Sequence, residues 1–339
     1  MTTIKDIARM ANVSQSTVSK ALNDRPDVGE DTKQRIRELA RRHHFTPSAF
    51  GKGLKSRVTR NIGLIFCREP QPLSINPFYS RVLEGIEAET AVNGYNLILL
   101  LITESGQNEL PRMIREKQVD AVILAGSFQQ SFVDCIRRNG LPMILLDPKQ
   151  PAEDCHQILI DNEHGGFLIT EYLIQKGHRR IGFVSGDLER QSFRLRYLGY
   201  LKALNRSGID PDPALVRSGG LEDGYAHVRG LLEAGRPTAV FFANDINAIY
   251  GLKAIVEAGL KIPEDVSIAG FDDIELARHA SPPLTTVRVY KEELGSLAVR
   301  NILRLIRREP KMPYVTMVPV RIVERESVRD LSSDPPGSG

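Results

Sequence analysis

Cysteine is scarce: Cys67, Cys135 and Cys155 are few, odd in number and widely spaced. That excludes a disulfide framework and a thiolate metal cluster, and reads as reduced structural thiols. Long apolar runs are missing too, since none approaches the roughly 20 residues needed to span a bilayer. The opening Met1–Asp6 has no apolar stretch of the kind that directs export, so the expected location is the cytoplasm, with no membrane partner. The seven histidines include the His43-His44 pair and His178, but no His-x-x-x-His or similar metal spacing. Gly182-Phe183-Val184-Ser185-Gly186 follows an apolar run, yet lacks the full G-x-G-x-x-G and the acidic residue about 20 positions on that a dinucleotide loop needs. No nucleophile elbow and no paired carboxylates stand out. These absences argue against an enzyme, and no cofactor or metal is expected. The C-terminal end has no leucine heptads that could form a tetramerising zipper, and residues 331–339, rich in Ser, Pro and Gly, read as a disordered tail.

What is present is a chain of 339 residues, 41% hydrophobic and 26% charged, long enough for two or three compact units. Its net charge of +3 hides an asymmetry. Of the 45 Lys and Arg and the 42 Asp and Glu, 13 and 6 fall in residues 1–60, a net of +7; the remaining 32 and 36 give −4. A basic head on a mildly acidic body suggests that the head meets a polyanion.

Local signals in the head agree. Thr3 with Asp6 forms a capping-box pattern, and Ile4, Ile7, Ala8 and Ala11 follow at helical spacing. Asn12 interrupts, Ser14 caps, and a second helix is expected from about Gln15 to Leu22, with Val18, Ala21 and Leu22 facing inward. Gln15, Ser16, Ser19 and Lys20 are left outside. Val28-Gly29 opens a third helix, whose Glu30 and Asp31 suit the dipole and whose Ile36, Leu39 and Ala40 form a buried stripe closed by Phe45. Two short helices joined by a tight turn, the second with small polar residues at its start, describe a helix-turn-helix. An amide such as Gln15 can bond an adenine edge in two places, Lys20 can reach guanine or a phosphate, and serines permit close approach. Residues 1–46 are therefore expected to be a DNA-binding headpiece, against the blander alternative of three helices with solvated polar faces. Thr46-Pro47 caps and starts a further helix, but Gly51 and Gly53 each cost it roughly 1 kcal/mol. Residues 47–60 thus read either as a linker or as a hinge that DNA orders.

From residue 61, short apolar runs alternate with amphipathic stretches. Strands are expected at Ile62–Phe66, Leu97–Leu101, Ala121–Leu124 and Met143–Leu146, with helices at about Tyr79–Asn93, Leu110–Lys117 and Phe132–Arg138. A second cycle places strands near Ile158–Ile160, Ile181–Val184, Val240–Phe242 and Ser267–Ala269. Its helices lie near Gly165–Gln175, Leu195–Asn205, Tyr225–Glu233 and Ile246–Glu257. Continuous apolar strands between helices indicate parallel sheets covered on both faces, and these are too many for one comfortable sheet. The fold class is α/β, with two subdomains. Ligands of such folds sit beyond the carboxyl ends of the strands, here between the halves. Those ends are polar: Asp147, Asp161-Asn162, Asn244-Asp245 and Asp272-Asp273, with Asp187, Arg190, Ser192, Arg194 and Arg196 in the loop after Val184. One such residue is commonly just a helix cap; five strand ends together point to a hydroxyl-rich or heteroaromatic ligand.

Thr3-Ile4-Lys5-Asp6-Ile7-Ala8, Asn12-Val13-Ser14-Gln15-Ser16-Thr17-Val18-Ser19-Lys20-Ala21-Leu22-Asn23 and Pro47-Ser48-Ala49 resemble the headpiece of the lac repressor/galactose repressor (LacI) family. Asp161-Asn162 with Gly165-Gly166, Gly177-His178-Arg179-Arg180-Ile181-Gly182, Phe271-Asp272-Asp273 and Pro283-Leu284-Thr285-Thr286-Val287 extend the resemblance to about Arg329, in a layout close to the family's purine repressor. The resemblance implies a periplasmic-binding-protein-like body that senses a metabolite, and a homodimer on a pseudopalindromic double-stranded operator. It implies that Gln15, Ser16, Thr17, Ser19 and Lys20 meet DNA, while Leu54 wedges into the minor groove; Asn23 and Lys55, the latter to phosphate, are further DNA-contact candidates. It places effector contacts at Phe78, Tyr79, Arg190, Ser192, Arg196, Asn244 and Asp272, with Asp147 and Leu221 as further candidates. The subdomains it implies are about 61–157 with 289–318, and 158–288 with 319–330. Two departures stand out: Gly51-Lys52-Gly53-Leu54 where the family often has Ala-Arg-Ser-Leu, and Tyr250 where it has glycine, with Gly251 one place late. The expected function is a transcription regulator, most simply a repressor, controlled by a sugar-like molecule or a nucleobase. An exported sugar-binding protein would share the body but not the basic head, and an α/β enzyme would need a catalytic constellation.

Overall fold

The computed structural model describes residues 2–22, 24–43, 45, 58–68, 71–220, 223–309 and 312–332. The expectations for Asn23, Leu54, Lys55 and Leu221, for the hinge up to Arg57 and for the tail from Ser333 on lie outside the described residues. The chain divides into two compact units, residues 1–59 and 60–339.

The first unit is three helices, α1 (Ile4–Met10), α2 (Gln15–Leu22) and α3 (Glu30–Arg42). The α1 cap is the reciprocal one read from the sequence: the Asp6 amide donates to Thr3 Oγ1 at 3.3 Å, and the Thr3 amide to Asp6 Oδ2 at 2.9 Å. Ser14 Oγ accepts from the Thr17 amide at 3.0 Å and starts α2. Ile7, Ala8, Ala11, Val18, Ala21, Val28 and Ile36 close into one small core, with Leu22, Leu39 and Phe45 packed against it.

The second unit holds two six-stranded sheets. The first contains β1 (Asn61–Cys67), β2 (Asn96–Ile102), β3 (Ala121–Ala125), β4 (Met143–Leu146), β5 (His156–Ile160) and β11 (Val315–Val318) in the order β11-β5-β4-β3-β1-β2, all parallel. The second contains β6 (Ile181–Ser185), β7 (Val216–Ser218), β8 (Ala239–Phe242), β9 (Ser267–Asp272), β10 (Thr285–Val289) and β12 (Val320–Val323) in the order β12-β10-β9-β8-β6-β7, with only β12 antiparallel. The covering helices are α4 (Pro77–Val92), α5 (Arg112–Arg115), α6 (Gln130–Arg138), α7 (Asn162–Gln175), α8 (Gln191–Arg206), α9 (Gly224–Ala234), α10 (Asp245–Glu257), α11 (Glu275–His279) and α12 (Lys291–Ile306). The central strands bury nearly every side chain, as in β3 and β8, because helices lie on both faces, while the edge strands β2, β7, β11 and β12 stay partly exposed.

Two boundaries differ from the sequence reading. Ile158–Ile160 was expected to open the second half, but β5 pairs with β4 through Leu146 and Ile158 in the first sheet. An alternation of strands and helices does not say which sheet a strand joins; its hydrogen-bonded neighbour decides, and the crossing falls after Ile160. Residue 289 was expected in the first half, but Val289 still pairs with Val320 in the second sheet. The helix expected over Leu110–Lys117 shrinks to the single turn of α5, flanked by Pro111 and by Lys117 at a φ of 54°. The chain crosses between the sheets after β5, after β10 and between β11 and β12, which leaves the strand ends of both halves facing one cleft. No described helix is long and apolar enough to cross a membrane.

Candidate functional site

The cleft is lined by Gln71, Asn76, Pro77, Phe78, Tyr79 and Asp147 from the first half, and by Arg190, Ser192, Phe193, Arg196, Asn244, Ile246, Asp272 and Ile274 from the second. Of the candidates read from the sequence, Phe78, Tyr79, Asp147, Arg190, Ser192, Arg196, Asn244 and Asp272 therefore meet around one cavity.

The first wall is set by the start of α4. Asn76 Oδ1 accepts from the Phe78 and Tyr79 amides at 3.1 and 3.0 Å, and Pro77 sits where its missing N–H costs nothing. The cap turns Phe78 and Tyr79 together at the cleft, their rings edge-on with centroids 5.1 Å apart. The Tyr79 hydroxyl donates to Asp147 Oδ2 at 3.4 Å. Burial, then the Asp147 carboxylate, pushes the Tyr79 phenol far up, against the pull of Arg190, so it stays a neutral donor.

The second wall is built around Arg196. Its Nε donates to Asn162 Oδ1 at 2.8 Å, Nη1 donates to the Ala243 carbonyl, and its guanidinium lies 3.7 Å from the Phe271 ring centroid. Nη2 lies 3.2 Å from Asp272 Oδ1 but off the line a hydrogen bond needs, so the pair attracts by charge while that oxygen remains without a hydrogen-bond partner. Burial raises the Asp272 carboxyl above its ordinary value, opposed by Arg196 and Lys291. The Arg190 Nε is likewise buried and unpartnered. The register that brings Arg196 here depends on Gly166 of α7, where a Cβ would collide with the Arg196 carbonyl. The Asp161-Asn162-x-x-Gly165-Gly166 pattern thus caps α7, holds Arg196 Nε and lets α8 approach.

The ends of the strands are also conformationally unusual. Asp147 and Asp272 have φ values of 46° and 112°, where a side chain is strained. Asn244 serves the cleft and a helix at once, its Oδ1 accepting from the Asn247 amide at 2.7 Å as the α10 cap. Asp161 is a cap only, accepting from the His164 amide at 3.3 Å, and Arg194 is exposed outside the cleft. Tyr250 points outward, and Gly251 takes the close contact, with the Phe242 ring. The sequence reading missed Gln71, Asn76, Phe193, Ile246 and Ile274; of these, only the Asn76-Pro77 cap pattern was there to be read.

Behind the cleft, Asp245 is fully buried, accepting from Thr286 Oγ1 at 2.6 Å and from the Ile274 amide at 2.9 Å. Burial, then the Asp272 charge, pushes its carboxyl up to about 8. A folded value above the unfolded one means that this group's stabilisation is present in acid and lost as pH climbs from the ordinary carboxylate range through about 8. Over that window the slope reaches up to about 1.4 kcal/mol per pH unit. Asp245→Asn keeps an acceptor for Ile274 and offers Thr286 a donor, so its denaturation midpoint should be flatter between acid and alkaline pH. Parallel pH profiles for the two proteins would rule this out.

On the headpiece, Gln15, Ser16, Ser19 and Lys20 are exposed along α2, while Thr17 is half-buried with its hydroxyl 2.9 Å from that of Ser14. Lys20 also pairs with Asp27 at 2.5 Å, in an exposed contact of a kind that contributes little to stability.

Residues 3–48 match the family model of the bacterial regulatory proteins, lacI family, and residues 170–328 match a periplasmic binding protein-like domain. The chain is 34% identical over 341 residues to the HTH-type transcriptional repressor PurR of Aliivibrio salmonicida, covering 98% of this chain and all of that one. This chain belongs to the lacI family. It is 37% identical over 340 residues to the ribose operon repressor of Haemophilus influenzae, again covering 98% of this chain and all of the other. Among solved structures, the lac repressor dimer bound to operator and the anti-inducer ONPF aligns with a TM-score of 0.85 at 25% identity, over 97% of this chain and 99% of that one. The transcriptional regulator CelR in complex with cellobiose aligns with a TM-score of 0.73 at 28% identity, over 96% and 100%. As a member of the lacI family the protein is a DNA-binding transcriptional repressor, with a helix-turn-helix headpiece and an effector-binding body rather than a catalytic one.

Proposed function

We propose that this repressor works in the cytoplasm as a homodimer on a pseudopalindromic operator and is controlled by a small polar metabolite, a sugar or sugar derivative, held between the halves of its body. The observation that carries the effector reading is a pair of buried atoms in one cleft that lack a hydrogen bond: Asp272 Oδ1, an acceptor that has only the charge of Arg196 beside it, and Arg190 Nε, a donor. Orphaned buried polar atoms are costly, and a hydroxyl-bearing ligand satisfies both signs at once. Phe78 and Tyr79 supply an apolar surface for a ring, and relatives of the same architecture have cellobiose or ribose bound. The dimer follows from the symmetry of half-sites, since one headpiece covers one half. On α2, Gln15, Ser16 and Ser19 would read bases and Lys20 a base or phosphate, with Leu54 carried over from the family and Asn23 and Lys55 as further DNA contacts. We keep the division into 61–157 with 289–318 and 158–288 with 319–330 as a proposal, with the two boundary shifts given above. A nucleobase is the second reading, favoured by the resemblance to purine repressors.

A thermal-shift screen of sugars, sugar acids, sugar phosphates and nucleobases separates the two readings. With the compound so found, Asp272→Asn should weaken binding by about 1.5–3 kcal/mol, the range for hydrogen bonds to a charged group. Operator affinity without the compound should change little. Calorimetry showing equal affinity for the wild-type and Asp272→Asn proteins would remove Asp272 from the site.

A further inference from the structure

The ammonium of Lys291 is buried and donates to three backbone carbonyls: Asp272, Asp273 at 3.0 Å and Val289 at 3.3 Å. Two of these belong to the turn that ends β9, where Asp272 and Asp273 hold φ values of 112° and 51°. Such a turn persists only where its surroundings over-determine it. The neighbouring Asp273 carboxylate is locked by Arg288 and Arg325, whereas the Asp272 carboxylate faces Arg196 across the cleft side and its backbone carbonyl is taken by Lys291. The Lys291 backbone belongs to the other half of the body. It is the first residue of α12, which packs on α4 and on β3 and β4 of the first sheet. The α4–α12 contact is close, for a Cβ at Gly85 would collide with the Glu292 carbonyl, next to Lys291. Helix α4 in turn carries Phe78 and Tyr79 into the cleft.

We infer that Lys291 is the positioning residue of the effector site: its ammonium fixes the Asp272–Asp273 turn of the second sheet to the start of a helix seated on the first. A ligand that moves Asp272 then pulls on the crossover between the halves through Lys291, and the wall bearing Phe78 and Tyr79 responds through α12 and α4. This inference rests on the reading of the cleft as the effector site, and it adds a residue that does not line the cleft. A buried ammonium bonded to three carbonyls is not needed to start a helix, whose first turn favours acidic side chains.

The charged groups around the pair are Asp245, Asp273 and Glu292 beside Lys291, and Arg196 and Asp147 beside Asp272. All stay in place in a Lys291→Met variant. In the full-length protein labelled with 13C at aspartate carboxyls, the Asp272 signal is the one missing from Asp272→Asn. In Lys291→Met it should titrate at higher pH than in the wild type, and in Lys291→Arg it should return toward the wild-type position. An Asp272 titration unchanged in Lys291→Met would overturn the inference, because a lysine that only fills space would leave that carboxyl where it was. Should Lys291→Met fail to fold, 15N-lysine labelling of the wild-type protein decides. The Nζ signal absent from Lys291→Arg should show ammonium protons protected from solvent exchange, and exchange as fast as that of surface lysines would refute the bonded ammonium. Neither measurement uses an effector, so an effector that binds Asp272→Asn unchanged would sink the site reading and leave this result standing.

Discussion

Replacing Arg196 with methionine is expected to destabilise the body by about 3–5 kcal/mol, the cost of removing one partner from a buried charge pair. Methionine keeps much of the stem that lies on Phe271 but removes the guanidinium. Asn162 Oδ1 and the Ala243 carbonyl would then lose their donors inside the second half, and Asp272 would lose the cation beside it. The deficit should depend on pH. Burial already raises the Asp272 carboxyl, and losing Arg196 raises it further. A group whose folded value lies above its unfolded one stabilises in acid and loses that contribution as pH rises through the folded value. Denaturant titrations should therefore show the smallest gap between variant and wild type near about pH 5 and a larger gap near about pH 8. A variant within about 1 kcal/mol of the wild type at both pH values would mean that Arg196 is not integrated as its contacts indicate.

Arg196 and Asp272 are neighbours in the fold although 76 positions separate them in the chain (272 − 196). Strand-end polarity nominated them separately; only the order β12-β10-β9-β8-β6-β7 brings the start of α8 beside the end of β9. The headpiece was more legible, because its signals are local. Thr3 with Asp6 and Ser14 with Thr17 lie three residues apart and fix helix starts without help from the rest of the chain. The body's periodicity gave most of its strands and helices through Ala269, missing the short β7 and overrunning α5, but not their sheet, so β5 was placed in the wrong half. Lys291 carried no signal at all. A lysine at the start of a helix reads as solvated, and its burial is caused by two aspartate carbonyls whose positive φ values no residue-type preference announces. Ile246 and Ile274 were unreadable for a similar reason: an isoleucine beside a strand end reads as core, and only the cleft between the halves gives it a side that lines a cavity.

Removing residues 1–60 should abolish specific operator binding while leaving the body folded and able to bind its effector. The headpiece has its own core, Ile7 to Ile36, and forms a compact unit distinct from residues 60–339. The body's two sheets and their helices involve no residue before Asn61 in their strand pairing. Electrostatics points the same way. The head carries the net charge of +7 and leaves the rest at −4, so the truncated chain loses both the helix-turn-helix and the attraction to phosphate. Specific sites bind roughly 10³-fold or more tighter than random DNA, and a body of net negative charge should fall to or below the random level. The check uses a duplex selected by the full-length protein from a randomised pool, followed by fluorescence anisotropy of both forms at one salt concentration. Thermal unfolding of the truncated protein confirms that it is intact. A truncated body that keeps its affinity for the selected duplex within about tenfold would place the DNA-reading surface outside the helix-turn-helix, and a body that no longer unfolds cooperatively would show that the two units are not independent.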